Sequence, residues 1–94
     1  MDLAAFKATL ANDAPPKGLG RPLLALWHAA KGDWDKAHTL AQDEDNETGA
    51  WVHAHLHRIE GDEKNAGHWY GRARRPHSTA ALPQEWDEIA AALL

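Results

Sequence analysis

A Gly-Asp pair occurs twice in the chain with similar residues around it, and this repetition constrains the fold more than any other feature. When Gly32 is set over Gly61, residues 26–38 lie over residues 55–67, and a histidine and an alanine also coincide. Glycine ends helices because it adopts the left-handed backbone conformation, and aspartate caps the helix that follows. A turn repeated at a fixed interval between amphipathic segments predicts two stacked helical hairpins.

The spacing of apolar residues around these turns predicts an all-α domain of five to six short helices. Leucines and tryptophans recur at three- and four-residue intervals, and β-branched apolar residues, which favour strands, are scarce. We therefore predict a single domain over residues 1–94. It should contain hairpin one at about 22–42, hairpin two at about 48–74, and capping helices at about 2–11 and 83–94.

Charge and composition exclude several classes of partner. The chain has 94 residues, no cysteine, and a formal net charge of -4 with its histidines neutral. A mildly acidic chain binds nucleic acids and anionic membranes poorly, and no apolar run approaches the roughly 20 residues that cross a bilayer. The first residues lack the basic and apolar segments of a signal peptide. We expect a cytoplasmic protein with no nucleic-acid and no membrane partner.

The second hairpin carries small, turn and aromatic residues in this order: Ala54, Gly61-Asp62, Ala66, Tyr70, Ala73 and Pro76. This pattern resembles the tetratricopeptide (TPR) and Sel1-like helical repeats. The first hairpin matches less closely, because Ala41 stands where those repeats have an aromatic residue. The resemblance implies a right-handed stack of antiparallel hairpins that binds peptides or proteins, without implying an activity. The chain also resembles small bacterial proteins that carry Trp-Val-His-Ala followed by Glu-Gly-Asp.

The first helix of hairpin two presents an aromatic, an imidazole and a guanidinium group close together. Trp51, His55 and Arg58 lie within about 60° of one another at helical spacing, and in TPR-like repeats this helix lines the groove. With Trp69 and Arg72 of the next helix, they are the predicted residues for binding a protein or peptide, or a second copy of the chain. Two alternatives stay open: the terminal helix at 83–94 covers this face, and Trp69 belongs to the core.

The seven histidines suggest a second, weaker hypothesis. His53 and His57 are four residues apart on one helix, which is a spacing that metal sites use. A third ligand would have to come from a set of polar residues elsewhere: His28, His38, His68, Glu60 or Asp62. The repeat offers a simpler account, in which His28 and His57 pack at equivalent positions and bond a carbonyl or carboxylate group. We predict no metal and no cofactor.

Catalytic motifs are missing from the sequence. There is no nucleophile elbow, no phosphate-binding loop, and no carboxylate pair in an apolar setting. Glu85 falls in the first turn of the last helix, where the helix dipole favours it. We predict a non-catalytic helical scaffold or interaction module, with a small histidine-based metal protein or enzyme as one alternative. A small-anion sensor using Arg58, Arg72 and Arg75 is the other.

Overall fold

The computed structural model describes residues 1–94 as an all-helical chain, which confirms the predicted fold class. Six α-helices are joined by short loops, with one turn of 3-10 helix at Thr9–Ala11 after the first: α1 (Leu3–Ala8), α2 (Arg21–Ala30), α3 (Trp34–Asp43), α4 (Glu47–Ile59), α5 (Glu63–Ala73) and α6 (Leu82–Leu93). None of these helices has the length and apolar character needed to cross a membrane.

The two Gly-Asp turns have the same geometry. Gly32 and Gly61 both adopt φ of +84°, and each is followed by an aspartate whose amide donates to a histidine carbonyl at 2.9 Å. This is the Schellman arrangement, in which a left-handed glycine lets the chain close off the helix end. The carboxylates of Asp33 and Asp62 then accept a hydrogen bond from the amide three residues later, at 3.2 and 3.1 Å. The same local sequence therefore builds the same corner twice.

Helix α4 is the centre of the molecule, because it contacts α2, α3, α5 and α6. Small residues let the paired helices of each hairpin approach closely. Ala25 and Ala37 of the first hairpin are fully buried, and so are Ala54 and Ala66 of the second. Every face of α4 is therefore partly covered, and the direction in which each of its side chains points decides which neighbour that side chain meets.

The main core lies between the first hairpin, α4 and the two terminal helices. Trp27 and Trp86 are buried there, and the Trp86 indole N–H donates to the carbonyl of Leu26 at 2.8 Å. Only these two of the five tryptophans are buried in the core. The other three tryptophans are half-buried and lie at the edges of the core: Trp34, Trp51 and Trp69.

The terminal helices differ from the prediction in their placement. They were expected to cap the two ends of a stack, whereas α1 and α6 contact each other. Phe6 and Trp86 stack with their ring centroids 5.7 Å apart and their planes 10° from parallel, and Lys7 pairs with Asp87 at 3.0 Å. Because these apolar rings cover each other, the two ends of the chain close one shared side of the core.

A close approach at the start of α4 generates a stability prediction. A Cβ atom added at Gly49 would lie 1.9 Å from the backbone oxygen of Glu44, so Gly49→Ala must push two backbone segments apart. We expect it to lower the free energy of unfolding by about 2 kcal/mol or more, measured by urea denaturation. Gly71→Ala is the matched control, because nothing lies within 4 Å of its added Cβ. It should leave stability unchanged or raise it by up to about 1 kcal/mol through helix propensity; equal losses in both variants would contradict this account.

Candidate functional site

Two of the predicted partner-binding residues face α6 rather than an open groove. His55 is 1% exposed and its Nδ1 lies 2.6 Å from Glu85 Oε1. Arg58 donates to the same carboxylate oxygen at 2.8 Å and to the carbonyl of Ala80 at 2.6 Å. The sequence left open whether this face binds a partner or is covered by the terminal helix. For His55 and Arg58, the structure shows that the terminal helix covers it.

Glu85 is the centre of a buried polar cluster. Its carboxylate is 2% exposed and also accepts a hydrogen bond from the Tyr70 hydroxyl. Burial alone would raise its pKa, but the hydrogen bonds from His55 and Tyr70 and the nearby positive charge lower the pKa of Glu85 to about 2. The same contacts act in the other direction on the phenol, because burial and the adjacent carboxylate raise the pKa of Tyr70. Glu85 is therefore an ionised group held by three donors.

Sequence reasoning placed Glu85 at a helix N-terminus and missed this role. The residue is indeed in the first turn of α6, which is sufficient to explain a carboxylate there. Its partners come from α4 and α5, far away along the chain. No local pattern marks such contacts, although the apolar Trp86 and Ile89 beside Glu85 indicate a helix that packs closely on its neighbours.

The remaining predicted partner-binding residues lie at the surface in two arginine–tryptophan pairs. Trp51 is half-buried, with the Arg75 guanidinium 3.5 Å from its ring centroid. Trp69 is also half-buried, and the Arg72 guanidinium lies 5.2 Å from its ring. We call these the two tryptophan–arginine pairs. They lie against the N-terminal half of α4, each beside a cavity that also includes Glu47.

A groove of about 550 Å³ runs beside the first pair. Its walls come from the start of α4 and the ends of α5 and α6: Glu47, Thr48, Trp51, Ala73, Arg74, Arg75, Pro76, Ala92 and Leu93. Four of these nine residues are apolar, Trp51, Ala73, Ala92 and Leu93, and two arginines, Arg74 and Arg75, also line the groove. Arg74 pairs with Glu47 at 3.2 Å, and both side chains are largely exposed. The groove can therefore hold an apolar side chain next to a negative charge.

A cluster of three histidines lies on another side of α4. His53 and His57 share a face of α4 with their rings stacked at 4.8 Å, and His38 reaches them from α3, with its Nε2 2.8 Å from the Nε2 of His53. His55 points away from this cluster toward α6, as its position in the helix requires. His38, the third residue of the cluster, is one of the five residues that the sequence offered as a possible third metal ligand.

Tryptophans and a carboxylate hold these imidazoles in place. Trp34 stacks on His38 at 4.7 Å and Trp69 stacks on His53 at 3.8 Å. The Nδ1 of His57 lies 2.6 Å from the Glu60 carboxylate, which agrees with the expectation that His57 bonds a carboxylate. The equivalent His28 forms no such bond, and its ring instead meets Trp27 edge-on at 5.1 Å.

The electrostatics of the cluster keep His38 and His53 neutral. Burial and the adjacent rings of His38, His57 and His68 lower the pKa of His53 to about 3. Burial and the proximity of His57 also lower the pKa of His38. Neutral imidazole carries one donor and one acceptor nitrogen, so His38 and His53 offer lone pairs rather than positive charge at neutral pH.

Comparison with known proteins adds no assignment: no protein family, no curated protein and no solved structure matches the chain.

The Glu85 cluster generates a prediction on pH dependence. The pKa of Glu85 is about 2 in the folded chain, against 4.5 for an ordinary glutamate. The contribution of this lowered pKa to the free energy of unfolding is therefore complete above pH 4.5 and is lost as the pH falls toward 2. At about 1.4 kcal/mol per pKa unit, the contribution amounts to roughly 3 kcal/mol. Urea unfolding at pH 7, 5 and 3 should show a steeper loss for the native chain than for Glu85→Gln.

Glu88→Gln is the control, because Glu88 is exposed on the same helix. This variant should follow the native pH profile. If native chain and Glu85→Gln lost equal stability between pH 5 and pH 3, Glu85 would not be the linked carboxylate.

Proposed function

We propose that this chain is a non-catalytic helical module that binds an acidic segment of a partner protein. The observation that carries the proposal is the presence of the two tryptophan–arginine pairs at the surface, Trp51 with Arg75 and Trp69 with Arg72. A half-buried aromatic ring with an adjacent guanidinium group supplies apolar area and charge together. Tryptophan and arginine are also the residues most enriched among energetically dominant interface residues.

The charges around the groove favour an acidic partner. Arg72 and Arg75 are exposed and form no ion pair within the chain, whereas Arg58 and Arg74 do. Arg72 and Arg75 are therefore each available to bond a carboxylate of a partner, although Glu44, Asp45 and Glu47 line the cavity beside Arg72. An acidic residue with a neighbouring apolar side chain would pair with Arg75 and contact the Trp51 ring beside it.

The state of the polar groups supports a non-catalytic role. Glu85, the buried carboxylate, is saturated by three donors and its pKa is lowered to about 2, so it is a poor proton acceptor at neutral pH. The hydroxyls of Thr9 and Thr39 donate to backbone carbonyls, and the Ser78 hydroxyl accepts from a backbone amide. None of these three hydroxyls is bonded to a histidine that could activate it.

The resemblance to TPR and Sel1-like repeats, which bind peptides and proteins, supports the same role. The equivalent Gly-Asp corners are consistent with that resemblance. We also propose that the module acts in the cytoplasm, since the chain has no cysteine that an oxidising compartment would exploit.

Fluorescence anisotropy with a defined probe tests this proposal. The probe is a fluorescein-labelled peptide of alternating glutamate and leucine, and the control peptide has lysine in place of glutamate. We expect the acidic peptide to bind and the basic one not to bind, and we expect the affinity to fall as salt rises. The double variant Arg72→Ala with Arg75→Ala should weaken binding about tenfold or more.

Lys36→Ala is the control variant, because Lys36 is an exposed cation on α3. It should bind the acidic peptide like the native chain. Equal binding of both peptides, or binding that does not change in the arginine variants, would overturn the proposal. A dimer seen by light scattering that the arginine substitutions dissociate would instead make a second copy of the chain the partner.

A further inference from the structure

The three-histidine cluster has the composition and arrangement of a metal site, which the interaction role does not explain. One ring nitrogen from each of His38, His53 and His57 lies within 4.8 Å of a ring nitrogen of the other two. For a tetrahedral ion bound at about 2.0–2.1 Å, two ligand nitrogens lie about 3.4 Å apart. Small rotations of the three side chains would therefore bring all three nitrogens to one ion.

We propose that His38, His53 and His57 bind one divalent late first-row transition metal ion, such as Zn²⁺, between α3 and α4. Imidazole nitrogen is a preferred ligand for zinc, nickel and copper, while magnesium and calcium prefer oxygen. Two ligands come from consecutive turns of α4 and the third from the other hairpin, so the ion joins the two repeated units.

An unpaired buried atom supports the presence of a ligand here. His53 is 3% exposed, and its Nδ1 has no hydrogen-bond partner. Leaving a buried polar atom unpaired costs about 1–3 kcal/mol, and an ion bound at this nitrogen would offset that cost.

The surroundings of the cluster hold the ligands for binding. The Glu60 carboxylate accepts from the Nδ1–H of His57 at 2.6 Å, so metal binding by this ring would use Nε2. A carboxylate behind a ligating histidine orients the ring and strengthens it as a donor. Trp34, itself fixed by a 2.7 Å hydrogen bond to the carbonyl of Leu56, stacks on His38. Glu60 is thus a positioning residue for the site.

The site is suited to holding an ion rather than to catalysis. Five surface cavities of the chain are lined by none of His38, His53 and His57. None of these five cavities would therefore bring a substrate to the ion. A bound metal would instead stabilise the packing of α3 on α4, because it binds the folded arrangement and not the unfolded chain.

A competing arrangement uses a neighbouring set of groups. His57, Glu60 and Asp62 also lie within 4.8 Å of one another, with both carboxylates exposed. The two arrangements differ in their dependence on two residues: the proposed site needs His38 and does not need Asp62. Asp62 caps α5 through its carboxylate, and asparagine caps helices equally well. Asp62→Asn therefore removes the possible ligand and keeps the cap.

Isothermal titration of the untagged full chain with Zn²⁺ tests the proposal. We expect one equivalent to bind the native chain with micromolar or tighter affinity, and the melting temperature to rise with Zn²⁺ and fall back with chelator. His38→Ala should weaken binding at least tenfold, and Glu60→Gln by about 10–100-fold. Ni²⁺ should quench the tryptophan fluorescence of the native chain, because Trp34 and Trp69 stack on two of the ligands.

Asp62→Asn and His77→Ala are the controls and should bind Zn²⁺ like the native chain. Circular dichroism shows whether each variant is folded. If His38→Ala does not fold, Glu60→Gln and Asp62→Asn decide together, since both residues are exposed and only the competing arrangement needs Asp62. The proposal is overturned if the native chain binds no Zn²⁺ or if both His38→Ala and Glu60→Gln bind it normally. It is also overturned if Asp62→Asn abolishes binding, because the ion would then lie at the turn.

Discussion

A single carboxylate, Glu85, connects the C-terminal helix to the second hairpin. It accepts hydrogen bonds from an imidazole and a guanidinium group of α4 and from a phenol of α5. Burying a carboxylate is costly unless it is paired and hydrogen-bonded, and here three donors converge on it. Trp86 and Ile89 follow Glu85 on the same helix and fill the core between α1, α2 and α4. The position of α6, and with it the closure of the core, depends on this one ionised group being satisfied.

The polar side chains of α4 point toward different neighbouring helices. Most residues of the proposed partner-binding surface therefore differ from those of the proposed metal site. His55 and Arg58 point to α6 and are used within the fold. His53 and His57 point to α3 and α5, where the three imidazoles meet. Trp51 stands at the edge near the end of α5. The two proposed roles meet only at Trp69, which pairs with Arg72 and also stacks on His53. The arginine substitutions should therefore remove partner binding without removing the metal ligands, and His38→Ala should do the reverse.

The features that could be predicted from the sequence are those determined by residues close together in the chain. The Gly-Asp corners follow from a left-handed glycine and an aspartate cap, so both hairpins could be placed from their residues alone. The pairing of His53 with His57 follows from helical spacing. What could not be predicted depends on contacts between distant segments. Glu85 is 27 and 30 residues from its partners on α4, and the approach of His38 requires α3 to pack on α4. The contact between α1 and α6 joins segments that lie still farther apart in the sequence, and nothing in either helix alone indicates it.

A double-mutant cycle on the Glu85 cluster tests the central claim most directly. Tyr70→Phe removes only the hydroxyl that donates to the carboxylate, and Glu85→Gln removes the charge that accepts it. If this cluster holds α6 in place, the two substitutions should be non-additive, with a coupling energy of about 1 kcal/mol or more in urea unfolding at pH 7. Losses that add to within about 0.3–0.5 kcal/mol would mean that the two groups act independently. The buried carboxylate would then not be what holds the C-terminal helix in place.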